Sequence, residues 1–155
     1  MGGADALIMA AAVADFRPRA ASPTKLGRGE GLTIELQPTE DILAGVSSNV
    51  APPGDPARPI LVGFAAETGS LERAADKLRR KGVDFLVAND VAEEGSGFGT
   101  DTNHVWILSA DGGEVDLPLR SKRAVAEEIL DRVARALDDR DSAAQTGRVT
   151  EETQA

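Results

Sequence analysis

The chain has 155 residues, 41% of them apolar, enough for one closed core and too few for two independent domains. Its net charge of −9 and pI near 4.6 argue against long nucleic acid as a partner, because such binding draws on a broad basic face. With no cysteine and a single histidine, His104, the sequence excludes disulfides, thiolate nucleophiles and zinc sites built on cysteine or several histidines.

The first apolar run, Ala6 to Ala14, is far shorter than the roughly 20 residues of a membrane span, and its flanking charges do not follow signal-peptide order. A soluble, cytoplasmic chain with no membrane partner is expected. Residues 6–13 are apolar on both faces, which predicts a central strand of a covered parallel sheet. Such a strand needs neighbours that the few residues before it do not supply, so an N-terminal truncation is expected. From Phe16 to Gly31, Pro18, Pro23, Gly27, Gly29 and Gly31 predict a long exposed loop. Leu32–Leu36 alternates as a short strand does, and Thr39 reads as the N-cap of a helix over 40–49 with Glu40 and Asp41 in its first turn.

After a proline-rich connector, Ile60–Ala66 is a second fully apolar strand. Ser70 then caps a helix over 71–81 whose Leu71, Ala74, Ala75 and Leu78 share one face, and 83–88 is a third strand. Strand, helix and strand make a βαβ unit, hence a parallel sheet. Residues 89–103 are glycine-rich and read as a loop; 105–108 and 114–117 form an antiparallel hairpin through Asp111-Gly112-Gly113. Ser121 caps a last helix in which Val125, Ile129, Val133 and Leu137 recur every four residues. The expected fold class is α/β: a Rossmann-like, three-layer domain over 1–137 with a mostly parallel sheet and a C-terminal antiparallel hairpin and helix. Residues 138–155, with five acidic and two basic residues, predict a disordered acidic tail.

Two basic clusters stand out against the acidic background. Arg17, Arg19, Lys25 and Arg28 lie in a stretch without an acid, and Lys77, Arg79, Arg80 and Lys81 end a predicted helix. Either they gather a compact polyanion such as a nucleoside triphosphate, or the helical set complements its dipole and stays solvated. Asp15 follows the first apolar strand at its carboxyl end, where open α/β sheets hold ligands; it can hold Mg²⁺ or a substrate hydrogen bond, or simply cap the turn. Glu67 has the same two readings. No GxGxxG or GxxxxGK[ST] is present. His104, near Trp106, reads as a surface or packing residue without a catalytic role.

The motifs Ala11-Ala12-Val13-Ala14-Asp15-Phe16, Lys25, Glu40-Asp41-Ile42-Leu43, Val62-Gly63-Phe64-Ala65-Ala66-Glu67-Thr68, Lys77, Lys81 and Ala88-Asn89-Asp90-Val91 together resemble the phosphopantothenate–cysteine ligase family, the synthetase half of the bifunctional coenzyme A biosynthesis flavoprotein. The resemblance covers about Ala4 to Leu137. It implies a two-step reaction in which CTP converts the carboxylate of 4′-phosphopantothenate to an acyl-cytidylate, after which the amine of L-cysteine displaces CMP. Mg²⁺ accompanies the nucleotide, and a homodimer is implied. Carried over by position, Met9, Ala10, Ala11, Asp15, Lys25, Glu40, Asp41, Ile42, Leu43, Phe64, Lys77 and Lys81 fall at nucleotide-binding positions. Ala11, Ala12 and Asp15 approach the phosphopantothenoyl group, Asp15 is the metal position, and Lys25 and Asp15 are the catalytic pair, with Lys25 on a mobile flap.

The chain departs from the family in several places. Glu40 stands where a proline is usual, Leu26-Gly27-Arg28 replaces a lysine run, and the N-terminal segment and the flavin-dependent decarboxylase half have no counterpart, so no flavin is expected. The alternative expectation is a truncated, catalytically silent nucleotide-binding or dimerisation module. A flavin or NAD oxidoreductase is disfavoured by the missing dinucleotide fingerprint.

Overall fold

The computed structural model describes residues 3–29, 31–67, 71–97 and 99–153. Alternating apolar residues on its central strands have two faces to fill, and each is covered by helices. β4 (Ile60–Glu67) and β5 (Phe85–Asp90) send Leu61, Ala65, Leu86 and Ala88 to one side, where they pack with Leu43 of α1 (Ile42–Asn49) and Ala74 and Leu78 of α2 (Leu71–Lys81). Val62 and Val87 point the other way, onto Val125, Ile129 and Val133 of α3 (Lys122–Thr153). The period of two along the strands therefore makes three layers out of one sheet.

The sheet order is β1-β4-β5-β6-β7, with β1 (Ala6–Met9) parallel to β4, β4 parallel to β5, and β6 (Thr102–Ser109) and β7 (Glu114–Ser121) added antiparallel. This is the α/β fold expected from the sequence, with the hairpin and helix in their expected places. α2 has its expected bounds, whereas its expected cap, Ser70, lies outside the described residues. Ser121 does cap α3, accepting from the Ala124 amide at 3.2 Å. No helix among the described residues is long and apolar enough to cross a membrane.

Four local expectations are corrected. β1 ends at Met9 rather than Val13, and it is an edge strand rather than a central one. Beyond Met9 the chain leaves β4 because 14–15 is fastened elsewhere: the Thr39 amide donates to Asp15 O at 2.9 Å and its hydroxyl to Ala14 O at 2.5 Å. Thr39 is thereby withdrawn from capping, and Asp41 caps α1 instead, accepting from the Ala44 amide at 3.1 Å; Glu40 precedes the helix. The loop expected from Phe16 begins instead with a strand, β2 (Phe16–Pro18), and the strand expected over 32–36 lies at β3 (Leu36–Pro38), antiparallel to β2 in a two-stranded arm; residues 19–29 between them carry no helix or strand, as expected. In place of the disordered acidic tail, the backbone of α3 continues as helix to Thr153. Its continuation is anchored past Leu137 by Arg140, which donates to Arg58 O at 3.0 Å beside the start of β4.

Gly63 sets the depth at which α1 docks. A Cβ there would stand 2.7 Å from Leu43 Cδ2 and 3.2 Å from Leu86 Cδ1, so only the bare backbone lets Leu43 bury against β4. That contact holds the N-terminus of α1 over the carboxyl ends of β1 and β4.

Candidate functional site

The staple of Thr39 onto 14–15, the docking of α1 through Leu43 and the end of α2 together enclose a hollow of about 610 Å³ at the carboxyl edge of the parallel strands. Open α/β sheets place ligands at this edge. β1 and the chain after it supply Met9, Ala11, Ala12 and Asp15; the start of α1 supplies Glu40, Asp41, Ile42 and Leu43. β4 contributes Phe64, and α2 contributes Lys77 and Lys81. Of the residues expected at the site from the sequence, Ala10 and Lys25 do not line it. Lys25 is exposed on the segment joining β2 to β3.

Val13, Ala14, Thr39, Ala65, Ala66 and Arg80 also line the hollow without having been assigned to it. Arg80 had a signal in the sequence: it stands three residues after Lys77 and one before Lys81, and i, i+3, i+4 share a helix face. Thr39 had a misleading one, because a threonine before a helical pattern reads first as a cap.

The electrostatics of the hollow are arranged in pairs. Lys81 Nζ lies 3.1 Å from Asp41 Oδ1, the same oxygen that caps α1, so one carboxylate ties the end of α2 to the beginning of α1. Partial burial pushes the Asp41 carboxyl up, but the Ala44 amide and the Lys81 ammonium, with the charge of Arg80 behind them, outweigh it and hold the carboxyl below its ordinary range. Lys77 Nζ lies 2.6 Å from Oε1 of Glu67, the last residue of β4. Arg80 has no ion pair or hydrogen bond among the described residues and is exposed toward the hollow. Arg79, one residue earlier, turns away and pairs with Asp76.

No group of three or more His, Cys, Asp or Glu among the described residues could hold a metal ion. The Asp15 carboxylate is exposed at the rim. One carboxylate at the rim suits Mg²⁺, which keeps several waters and is usually shared between a protein acid and substrate phosphates. Small side chains at Ala11, Ala12, Ala65 and Ala66 leave backbone accessible along one wall. Three cations, backbone amides at a helix start and an aromatic ring at Phe64 form a site able to hold a nucleoside polyphosphate.

His104 lies outside this hollow. Its ring is held between Glu93, on Nδ1, and Asp116, 2.6 Å from Nε2, and lies tilted by 39° against Trp106 with centroids 4.3 Å apart. Burial opposes its charged form, yet the two carboxylates prevail and raise its pKa. This structural clip fits the packing role expected of it.

Comparison with known proteins identifies the family of the chain. A family model described as the DNA/pantothenate metabolism flavoprotein C-terminal domain matches residues 1–137. Coenzyme A biosynthesis bifunctional protein CoaBC of Mycobacterium tuberculosis is 47% identical over 137 residues, covering 84% of this chain and 32% of that protein. Its namesake in Bacillus subtilis is 44% identical over 132 residues, covering 84% and 31%. The chain thus spans about a third of the length of these relatives. The solved C-terminal domain of coenzyme A biosynthesis bifunctional protein CoaBC superposes with a TM-score of 0.63 at 39% identity, over 83% of this chain and 55% of that one. The chain belongs to the family of DNA/pantothenate metabolism flavoprotein C-terminal domains.

Proposed function

We propose that the hollow is the CTP site of a phosphopantothenate–cysteine ligase acting in coenzyme A biosynthesis. The observation that carries this reading is the convergence of Asp15, Asp41–Leu43, Phe64, Lys77 and Lys81, distant in sequence, on one cavity at the carboxyl edge of the sheet. In the first step a carboxylate oxygen of 4′-phosphopantothenate attacks the α-phosphorus of CTP, and the bond to pyrophosphate breaks. In the second the amine of L-cysteine attacks the acyl carbon, loses a proton and displaces CMP.

Charge accumulates on phosphate oxygens in the first step, so fixed cations in a cavity partly closed to water supply the main stabilisation. Lys77, Lys81 and Arg80 serve there, while the start of α1 offers backbone donors to the base and Phe64 packs against the nucleotide. Asp15 is the carboxylate that would hold Mg²⁺, which neutralises phosphate charge when bound. Ala11 and Ala12 let the acid substrate approach the backbone. Lys25 belongs to the proposal as a residue carried in by movement of the β2–β3 arm, since it stands outside the hollow. Exposed apolar side chains on that arm, among them Phe16, Leu32, Ile34 and Leu36, support the homodimer that is part of this reading.

The test is pyrophosphate release on mixing CTP, 4′-phosphopantothenate and L-cysteine with Mg²⁺. Release that requires CTP and the acid supports the ligase. The position of Lys25 favours one second reading, a nucleotide-binding module without turnover; saturable CTP binding with no pyrophosphate release would select it.

A further inference from the structure

We propose that Glu67 is a positioning residue: it fixes the Lys77 ammonium at the wall of the hollow, and through Lys77 it sets how tightly the hollow holds a nucleoside polyphosphate. The proposal rests on the nucleotide reading of the site and adds a residue that does not itself line the cavity.

Glu67 is 5% exposed and is the one buried acid among the described residues. A carboxylate so placed is costly to fold unless paired and hydrogen-bonded. Its partner is Lys77, 2.6 Å from Oε1; the other neighbour, Arg73, stands 3.8 Å from Oε2 and is largely in solvent. The carboxylate sits on rigid backbone, because Glu67 is in register with Asp90 of β5 and its carbonyl accepts from the Val91 amide at 3.1 Å. Lys77, whose side chain is 33% exposed, is therefore held by a fixed point on the sheet while it lines the cavity. An ammonium has three N–H donors, and giving one to Glu67 leaves the others for a phosphate.

The pair at Lys81 is built differently. Its partner Asp41 is 44% exposed, sits at the start of a helix and lies 3.1 Å away, so Lys81 is held by a group that water also reaches. A lysine free in solvent loses rotamer freedom when it meets an anion, whereas Lys77 has already lost it on folding. The alternative effect has the opposite sign: a carboxylate that merely neutralised Lys77 would weaken anion binding, and its removal would strengthen it.

A double-mutant cycle separates these effects: calorimetric titration of CTP with Mg²⁺ into the wild type, Glu67→Gln, Lys77→Met and the double variant. Glu67→Gln is expected to bind CTP about tenfold more weakly than the wild type, and the double variant within about twofold of Lys77→Met, as coupled neighbours behave. Equal or tighter binding by Glu67→Gln, or the same loss with and without Lys77, overturns the proposal. Should Glu67→Gln not fold, Glu67→Asp takes its place in the cycle, because it keeps the charge and withdraws it from Lys77 by one methylene. A wild type that binds no CTP overturns the nucleotide reading first, before any variant is compared.

Discussion

The end of α2 from Lys77 to Lys81 and the segment from Arg17 to Arg28 each carry four cations, yet they use them in different ways. On α2, Lys77, Arg80 and Lys81 are gathered by helical geometry onto one face, and that face forms a wall of the hollow. Two of the three are tied to carboxylates, Glu67 and Asp41, which fix where their charge lies. On the arm no period aligns the cations: Arg19 pairs with Glu35 at 3.7 Å, both side chains mostly in solvent, and Lys25 stands away from the cavity. Equal local charge is thus gathered onto one wall of the hollow where a helix orders it. Where an exposed arm carries it, the charge stays away from the hollow.

The largest expected effect sharpens this contrast. Lys25→Gln is expected to abolish pyrophosphate release in the ligase assay while leaving CTP affinity within about twofold, since a residue carried in by closure acts on the step and not on the resting site. A comparable loss of affinity would place Lys25 in the resting site after all. On the helix the order reverses: Lys77→Met and Lys81→Met are each expected to weaken CTP binding about tenfold in calorimetric titration, the usual scale of a lost charge-assisted contact.

A smaller effect is expected from Gly63→Ala, whose Cβ meets Leu43. It should cost about 1–3 kcal/mol in urea denaturation, as overpacked cores do, and weaken CTP binding by displacing the start of α1. Smaller still is the pH dependence of the Asp41–Lys81 pair. The folded carboxyl titrates below its ordinary value, so its contribution is present above that value and is lost as pH falls through the folded one. Asp41→Asn keeps a capping side chain and removes the charge, so its thermal stability should trail the wild type near neutrality and converge with it in acid. His104 titrates the other way. With its folded pKa raised, the clip contributes fully below the ordinary histidine value and is lost as pH rises through the folded one, so a stability gap between wild type and His104→Gln should close as pH rises through that folded value.

The sheet and α2 were legible in the sequence because burial on two faces leaves continuous apolar runs, and because glycine and proline punctuate them. The start of α1 was not: Thr39 and Asp41 are both good caps two residues apart, and the choice was made by tertiary contacts, Thr39 to Ala14 and Asp15, Asp41 to Lys81. The same staple ends β1 at Met9, which no property of the run from Ala10 to Val13 announces. Phe16–Pro18 was read as loop and its partner strand was set at 32–36, because pairing Phe16–Pro18 with Leu36–Pro38 takes three residues on each side, too few to show a period. Most of the cavity residues were reached through resemblance to a family. Spacing alone offered the acid after the first strand and the cations of α2. Arg80 was named in the basic cluster but not assigned to the site, because a helix end full of cations has a sufficient explanation in the helix dipole.

The account stands on the hollow being a nucleotide site whose affinity comes from the ordered cations of α2. Calorimetric titration of CTP with Mg²⁺ into the wild type and the Lys77→Met, Lys81→Met double variant tests this most directly. Saturable one-to-one binding by the wild type is expected, weakened about a hundredfold in the double variant if the two contacts add. Equal binding by both proteins, or none by the wild type, would contradict it.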